Sequence, residues 1–207
     1  MSYDSNQEEV TIEDIVAEPS AEYTVQDYLS WQFDEMVELI RGKVFRMSPG
    51  PWTKHQRISV YLLGQLFNFL ENSQCEVFHA PYDVYLPIKH PKTGKPNTVV
   101  QPDITVICDP DKIKEHGCVG SPDMVVEIIS PSTRKKDIQI KHELYEECGI
   151  NTYWLVFPKE EIIEVFELDE HGKYHRVGGF SDDDILTPGL FPDLSIEVSK
   201  VFKNSLT

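Results

Sequence analysis

Two nearly continuous apolar runs, MVVEII at residues 124–129 and TYWLVF at residues 152–157, are separated by a segment of helical period that closes at Gly149. Strands of that composition are covered on both faces, as in parallel sheets. Strand, helix and strand in succession then require a crossover between parallel neighbours. The chain is therefore expected to be α/β in character, with helices on the faces of a sheet.

Other segments add elements to this unit. Thr24, with Asp27 three residues on, reads as a capping box that opens a short helix. VELIRGKVFRMSPG reads as a hairpin whose two β-rich runs meet at Arg41-Gly42-Lys43, and Pro49-Gly50 closes the second. From Thr53 the period becomes helical: Ile58, Leu62, Leu66, Phe69 and Leu70 form one stripe that ends near Asn72. CEVFHAPYDVYLPI reads as one alternating strand, and HPKTGKPN as a turn-rich loop carrying lysines, with Lys89 just before it and Lys92 and Lys95 inside it. A strand over residues 104–108 enters at Pro102, and a loop rich in Asp, Lys and Gly follows. The crossover helix is expected over residues 136–148, a hairpin over 162–168 and 174–180, and a short closing element at the end.

With 207 residues and 40% apolar content, one packed domain is expected over residues 21–207, behind an acidic, mobile tail at 1–20. No apolar run reaches the roughly 18 residues that span a bilayer, and the acidic start is unlike a secretory signal. The reading is a soluble, cytoplasmic protein without membrane contact. Cys75, Cys108, Cys118 and Cys148 are scattered without a C-x-x-C pair and are expected as small buried residues, not as disulfides or zinc thiolates. The formal charge of −16 excludes a permanent basic grip on nucleic acid. Transient contact, helped by divalent cations gathered at carboxylates, is compatible with it.

VVQPDITVIC and MVVEIIS each carry one carboxylate in an apolar strand, where an unpaired ionised group is costly. Asp103 shares a face with Thr105 and Ile107, and Glu127 shares one with Val125 and Ile129. If the strands are neighbours, both acids point to one side and a cation must balance them. Ile138, Lys141, Tyr145 and Cys148 recur at steps of three, four and three, so Lys141 lies on the apolar stripe of the crossover helix and aims its ammonium at the strand. The alternative is a silent surface pair with Asp137, four residues earlier. Two carboxylates and a lysine suit phosphodiester hydrolysis, because hard oxygens hold Mg²⁺, with Mn²⁺ as a substitute. No phosphate-binding G-x-x-x-x-G-K-[ST] loop, G-x-S-x-G elbow or H-E-x-x-H pair points to another chemistry.

ELIRGKVFRMSPGP, KHQRIS, VVQPDITVIC, PDMVVEIISPST and KHELYEECGINTYWLV, in that order, resemble the Uma2 family of the PD-(D/E)XK nuclease superfamily, over roughly residues 23–207. The resemblance implies a restriction-endonuclease-like αβββαβ core, α/β (α+β) in class. Its mixed central sheet is flanked by helices and extended by N-terminal and C-terminal β-hairpins. It also implies Mg²⁺-dependent endonucleolytic cleavage of DNA, with Asp103 and Glu127 as metal ligands. The superfamily lysine stands two residues after the second acid, where this chain has Ile129, so Lys141 is expected to supply the charge from the helix.

Glu38, in the ELI-x-G stretch, is either a further metal ligand or the partner of Arg41, Lys43 or Arg46. His55 is either a phosphate or metal-water contact or a surface residue. Arg134, Lys135 and Lys136, with the loop lysines at 89, 92 and 95, are candidate substrate contacts along the DNA backbone. Arg41 and Phe157 stand where the family often has acidic residues. Cutting both strands would suit a homodimer. Two rival readings stand beside the nuclease. One is a silent nucleic-acid or protein-binding domain with Asp103, Glu127 and Lys141 as a structural triad; the other is a hydrolase of small phosphoesters.

Overall fold

The computed structural model describes residues 22–47, 52–131, 134 and 136–203. The tail expected at 1–20, the Pro49-Gly50 closure and Lys135 lie outside the described residues. In chain order the elements begin with α1 (Val25–Ser30), β1 (Val37–Ile40), β2 (Lys43–Arg46), α2 (Thr53–Leu70), β3 (Glu76–His79), β4 (Val84–Tyr85), β5 (Val99–Val100) and β6 (Ile104–Ile107). A 3-10 turn at Pro110–Lys112, β7 (Ile113–Lys114), β8 (Gly117–Val119) and β9 (Met124–Ile128) follow. A π-helical turn at Lys136–Lys141 then runs into α3 (His142–Glu147) and β10 (Thr152–Phe157). The chain finishes with β11 (Ile162–Leu168), β12 (Tyr174–Ser181), β13 (Ile185–Leu186), β14 (Ile196–Glu197) and α4 (Val198–Phe202).

These elements group into two compact units, the described residues within 1–47 and 88–100 and those within 48–87 and 101–207. In the smaller unit, the Thr24 hydroxyl accepts from the Asp27 amide at 3.3 Å, and the Asp27 carboxylate accepts from the Thr24 amide at 2.7 Å. This is the expected capping box. β1 and β2 form the expected hairpin, whose turn residues Arg41 and Gly42 have φ of 52° and 78°. Two consecutive left-handed residues match the twist of the paired strands. A Cβ at Gly42 would also stand 3.1 Å from the Tyr23 carbonyl, so this turn position favours glycine twice over.

In the larger unit the strand order is β12-β11-β10-β9-β6-β3. β9 and β10 are parallel, in register Val126↔Trp154, while the remaining pairs are antiparallel. The sheet is thus mixed and helix-flanked, and α2, β3, β6, β9, α3 and β10 follow the αβββαβ order. Ile58, Leu62, Leu66 and Leu70 of α2 share one core with Ile104, Val106, Met124, Val126, Ile128, Trp154 and Val156. Because side chains alternate along a strand, Val125, Glu127, Tyr153 and Leu155 project from the opposite face. That is the face the crossover segment supplies with Lys141 and Tyr145.

The structure corrects four expectations. The single strand over residues 75–88 is two strands, since the ladder ends where the Ala80 amide donates to the Asp103 carbonyl and Pro81 has no amide to continue it. The loop after β6 contains the β7–β8 hairpin, with Gly117 at φ 139° pressed so close to Asp83 that a Cβ would lie 2.2 Å from its carbonyl oxygen. Cys75 and Cys108 form a disulfide, which overturns the reading of four free cysteines. The β3–β6 register pairs Glu76 with Ile107, so the next positions outward are Cys75 and Cys108, with Cα atoms 3.8 Å apart. Finally, the crossover helix is not α throughout but opens with the π turn that carries Asp137 and Lys141.

Candidate active site

Asp103 immediately precedes β6, and Glu127 is the fourth residue of β9. The antiparallel register Ile104↔Val126 makes them the next opposed pair. Two opposed carboxylates repel, and the fold gives each its own set of partners.

Glu127 Oε1 accepts from Lys141 Nζ at 2.7 Å and from the Tyr145 hydroxyl at 2.7 Å. Asp137 Oδ1 lies 3.8 Å from the same ammonium. Glu127, Asp137 and Lys141 are 4%, 2% and 2% exposed, so these charges interact in a low-dielectric interior. Around them stands an aromatic wall: Tyr145 and Tyr153 pack edge to face at 5.1 Å, and the Tyr153 hydroxyl donates to the Asp137 carbonyl at 2.9 Å. Burial, and then the Glu127 charge, hold the Tyr153 phenol well above its ordinary pKa, so it remains a donor at neutral pH.

Asp103 is held differently. Its Oδ2 accepts from the Ile128 amide at 2.7 Å, and His55 Nε2, in the first turn of α2, lies 3.3 Å from that oxygen. Burial opposes the charged form of His55, but its hydrogen bond to Asp103, the Asp103 charge and the Ile128 carbonyl outweigh it and raise the imidazole above its ordinary pKa. His55 Nδ1 is buried with no hydrogen-bond partner.

Of the residues singled out in the sequence, the fold brings Asp103, Glu127, Lys141 and His55 to one end of the β6–β9 pair. The Asp137–Lys141 pair exists, but in the interior and not on the helix surface. Glu38 is fully buried on β1 of the smaller unit, opposite Phe45, while Arg46 pairs with Glu35 at 3.6 Å. Arg134 sits 3.2 Å from Glu160 and lies over the ring of Phe157, which occupies one of the positions that depart from the family pattern. Lys136 is half-buried on the π turn; Lys89, Lys92 and Lys95 are exposed on the smaller unit. Sequence reasoning missed Asp137 and Tyr145 as members of the site. Their signal was the step of four through residues 137, 141 and 145.

Among the described residues no group of three His, Cys, Asp or Glu is gathered around a metal position. Mg²⁺ does not ask for one, since it is commonly held by one or two carboxylates, with waters and substrate phosphates completing its shell. The hard oxygens of Asp103 and Glu127 fit that ion. Cys75 and Cys108 are bonded to each other, and burial pushes the Cys118 thiol up to about 11. No helix among the described residues is long and apolar enough to cross a membrane.

Residues 25–199 match the family model Uma2, described as "Putative restriction endonuclease". The chain is 28% identical over 166 residues to the uncharacterised protein slr1290 of Synechocystis, covering 77% of this chain and 83% of that one. In fold it is similar to the crystal structure of a "putative nuclease belonging to DUF820" from Anabaena variabilis. The TM-score is 0.69 at 18% identity, over 87% of this chain and 97% of that one.

Proposed function

This chain belongs to the Uma2 family, and on that premise we propose that it is a metal-dependent endonuclease that hydrolyses DNA phosphodiester bonds. The observation that carries the reading is the opposition of Asp103 and Glu127 across β6 and β9, with the Lys141 ammonium 2.7 Å from Glu127. Asp103 and Glu127 would hold Mg²⁺, with Mn²⁺ as a substitute. Bound there, the ion supplies an activated water and positive charge for the scissile phosphate.

Lys141 orients the attacking water or offsets charge developing on the phosphate oxygens. The Ile128 amide aims Asp103, and His55, anchored to Asp103 through Nε2, stands beside that ligand for contact with a phosphate or a metal-bound water. Arg134, Lys135 and Lys136 offer further contacts to the DNA backbone, and Lys89, Lys92 and Lys95 do so on the smaller unit. Such contact is transient, given a chain that carries a formal charge of −16. A cytoplasmic homodimer would pair two such sites to cut both strands.

One observation favours a second reading, a silent binding domain: Glu127 already has two donors in a buried pocket, as a structural triad would. Calorimetric titration of Mn²⁺ into the wild type, Asp103→Asn and Glu127→Gln separates the two. Binding by the wild type that both substitutions abolish, with Mg²⁺-dependent nicking of plasmid DNA, supports the nuclease. No binding, even with short duplex DNA present, leaves the silent triad as the better reading. Turnover of a nitrophenyl phosphodiester without plasmid cleavage would favour a small phosphoester as substrate.

A further inference from the structure

Lys141 stands between two carboxylates at unequal distances, 2.7 Å to Glu127 Oε1 and 3.8 Å to Asp137 Oδ1. The nearer is a hydrogen bond, and the farther is an ion pair just beyond hydrogen-bonding reach. The proposed metal reading, on which this inference rests, creates a conflict at the nearer one. A carboxylate that ligates a divalent cation gives up lone pairs, and the cation repels an ammonium hydrogen-bonded to the same oxygen. Lys141 is 2% exposed, and a buried ammonium that gives up a hydrogen-bond acceptor pays a large cost unless another takes its place.

Asp137 resolves the conflict. We infer that Asp137 is the second seat of the Lys141 ammonium: a positioning residue that receives it when Glu127 turns to the metal and keeps it charged and in place beside the reacting phosphate. A movement of about 1 Å brings Nζ from ion-pair to hydrogen-bond distance. The seat is firm because the Asp137 backbone carbonyl is held by the Tyr153 hydroxyl at 2.9 Å. The π turn carries both residues, and such turns recur at functional positions in helices. Tyr145 remains on Glu127 throughout, its hydroxyl 2.7 Å from Oε1, so the carboxylate exchanges one donor and not both.

The test is a double-mutant cycle on Mn²⁺ affinity, measured by calorimetry on the full chain as wild type, Asp137→Asn, Lys141→Met and the double variant. With its second seat gone, the ammonium stays on Glu127, so Asp137→Asn is expected to weaken Mn²⁺ binding about 10- to 100-fold, as losses around metal ligands do. In the Lys141→Met background the same substitution is expected to change affinity by less than about threefold, the residual effect of a nearby charge. Equal losses in both backgrounds would make Asp137 a direct ligand and overturn the inference, as would an Asp137→Asn affinity equal to wild type. A wild type that binds no Mn²⁺ sinks the metal reading itself, and the inference with it.

A second measurement needs no variant. The ¹⁵N-ammonium resonance of Lys141 in the wild type should persist, at a shifted position, when Mg²⁺ saturates the site. Its loss to exchange with solvent would mean that no second seat receives the ammonium.

Discussion

Glu127 and Asp103 face each other across one strand pair, yet one is sealed and the other is open. The Glu127 side chain is 5% exposed and bound to an ammonium and a phenol; the Asp103 side chain is 21% exposed and bound to a backbone amide and an imidazole that titrates. The difference separates two kinds of control. At the sealed end, charge balance is built in and removing a partner costs folding energy. At the open end, balance depends on pH, and solvent or a substrate can reach the carboxylate.

The largest expected effect is at the sealed end. Lys141→Met leaves the Glu127 and Asp137 carboxylates buried without their cation and is expected to cost about 3–5 kcal/mol, read from urea unfolding. A loss under about 1 kcal/mol would erase the contrast. Tyr145→Phe removes one hydrogen bond to a charged oxygen, for an expected loss of about 1.5–3 kcal/mol by the same measurement.

At the open end the effect is smaller and depends on pH. His55 has a folded pKa raised above 6.5, so the stability it contributes is fully present below that pH and is lost as pH rises through the raised value. Thermal melts of wild type and His55→Gln should therefore differ most under acidic conditions, by about 1 kcal/mol or less for a partly exposed pair, and converge at alkaline pH. A gap that widens with pH would reverse the assignment. Arg134→Ala sets the baseline: its exposed pair with Glu160 is expected to matter by no more than about 0.5 kcal/mol in the same melts.

Much of this frame was legible in the chain itself. The capping box at Thr24, the hairpin turn at Arg41-Gly42-Lys43 and the stripe of α2 are interactions between residues a few positions apart, or demands of one backbone position. The crossover from β9 to β10 followed from two apolar runs with a helix between them. Lys141 was legible as a candidate because its place on an apolar stripe is also a local property. Asp137 was seen only as its surface partner, since spacing says that two residues meet and not whether water reaches them. Tyr145 was noted only as part of the stripe.

Sequence alone determined the order of the core elements, the family resemblance and the candidacy of Asp103, Glu127 and Lys141. Tertiary structure alone decided that Cys75 bonds Cys108, that the crossover helix opens as a π turn, that Asp137 is buried, and that His55 reaches Asp103. The reason is the range of the forces involved. Caps, turns and stripes are set by near neighbours in the chain, whereas the cysteine pair is 33 residues apart and meets only through the β3–β6 register. Register and helix packing are settled by the whole core at once, and they decide which carboxylate is sealed against an ammonium and which is left open to solvent.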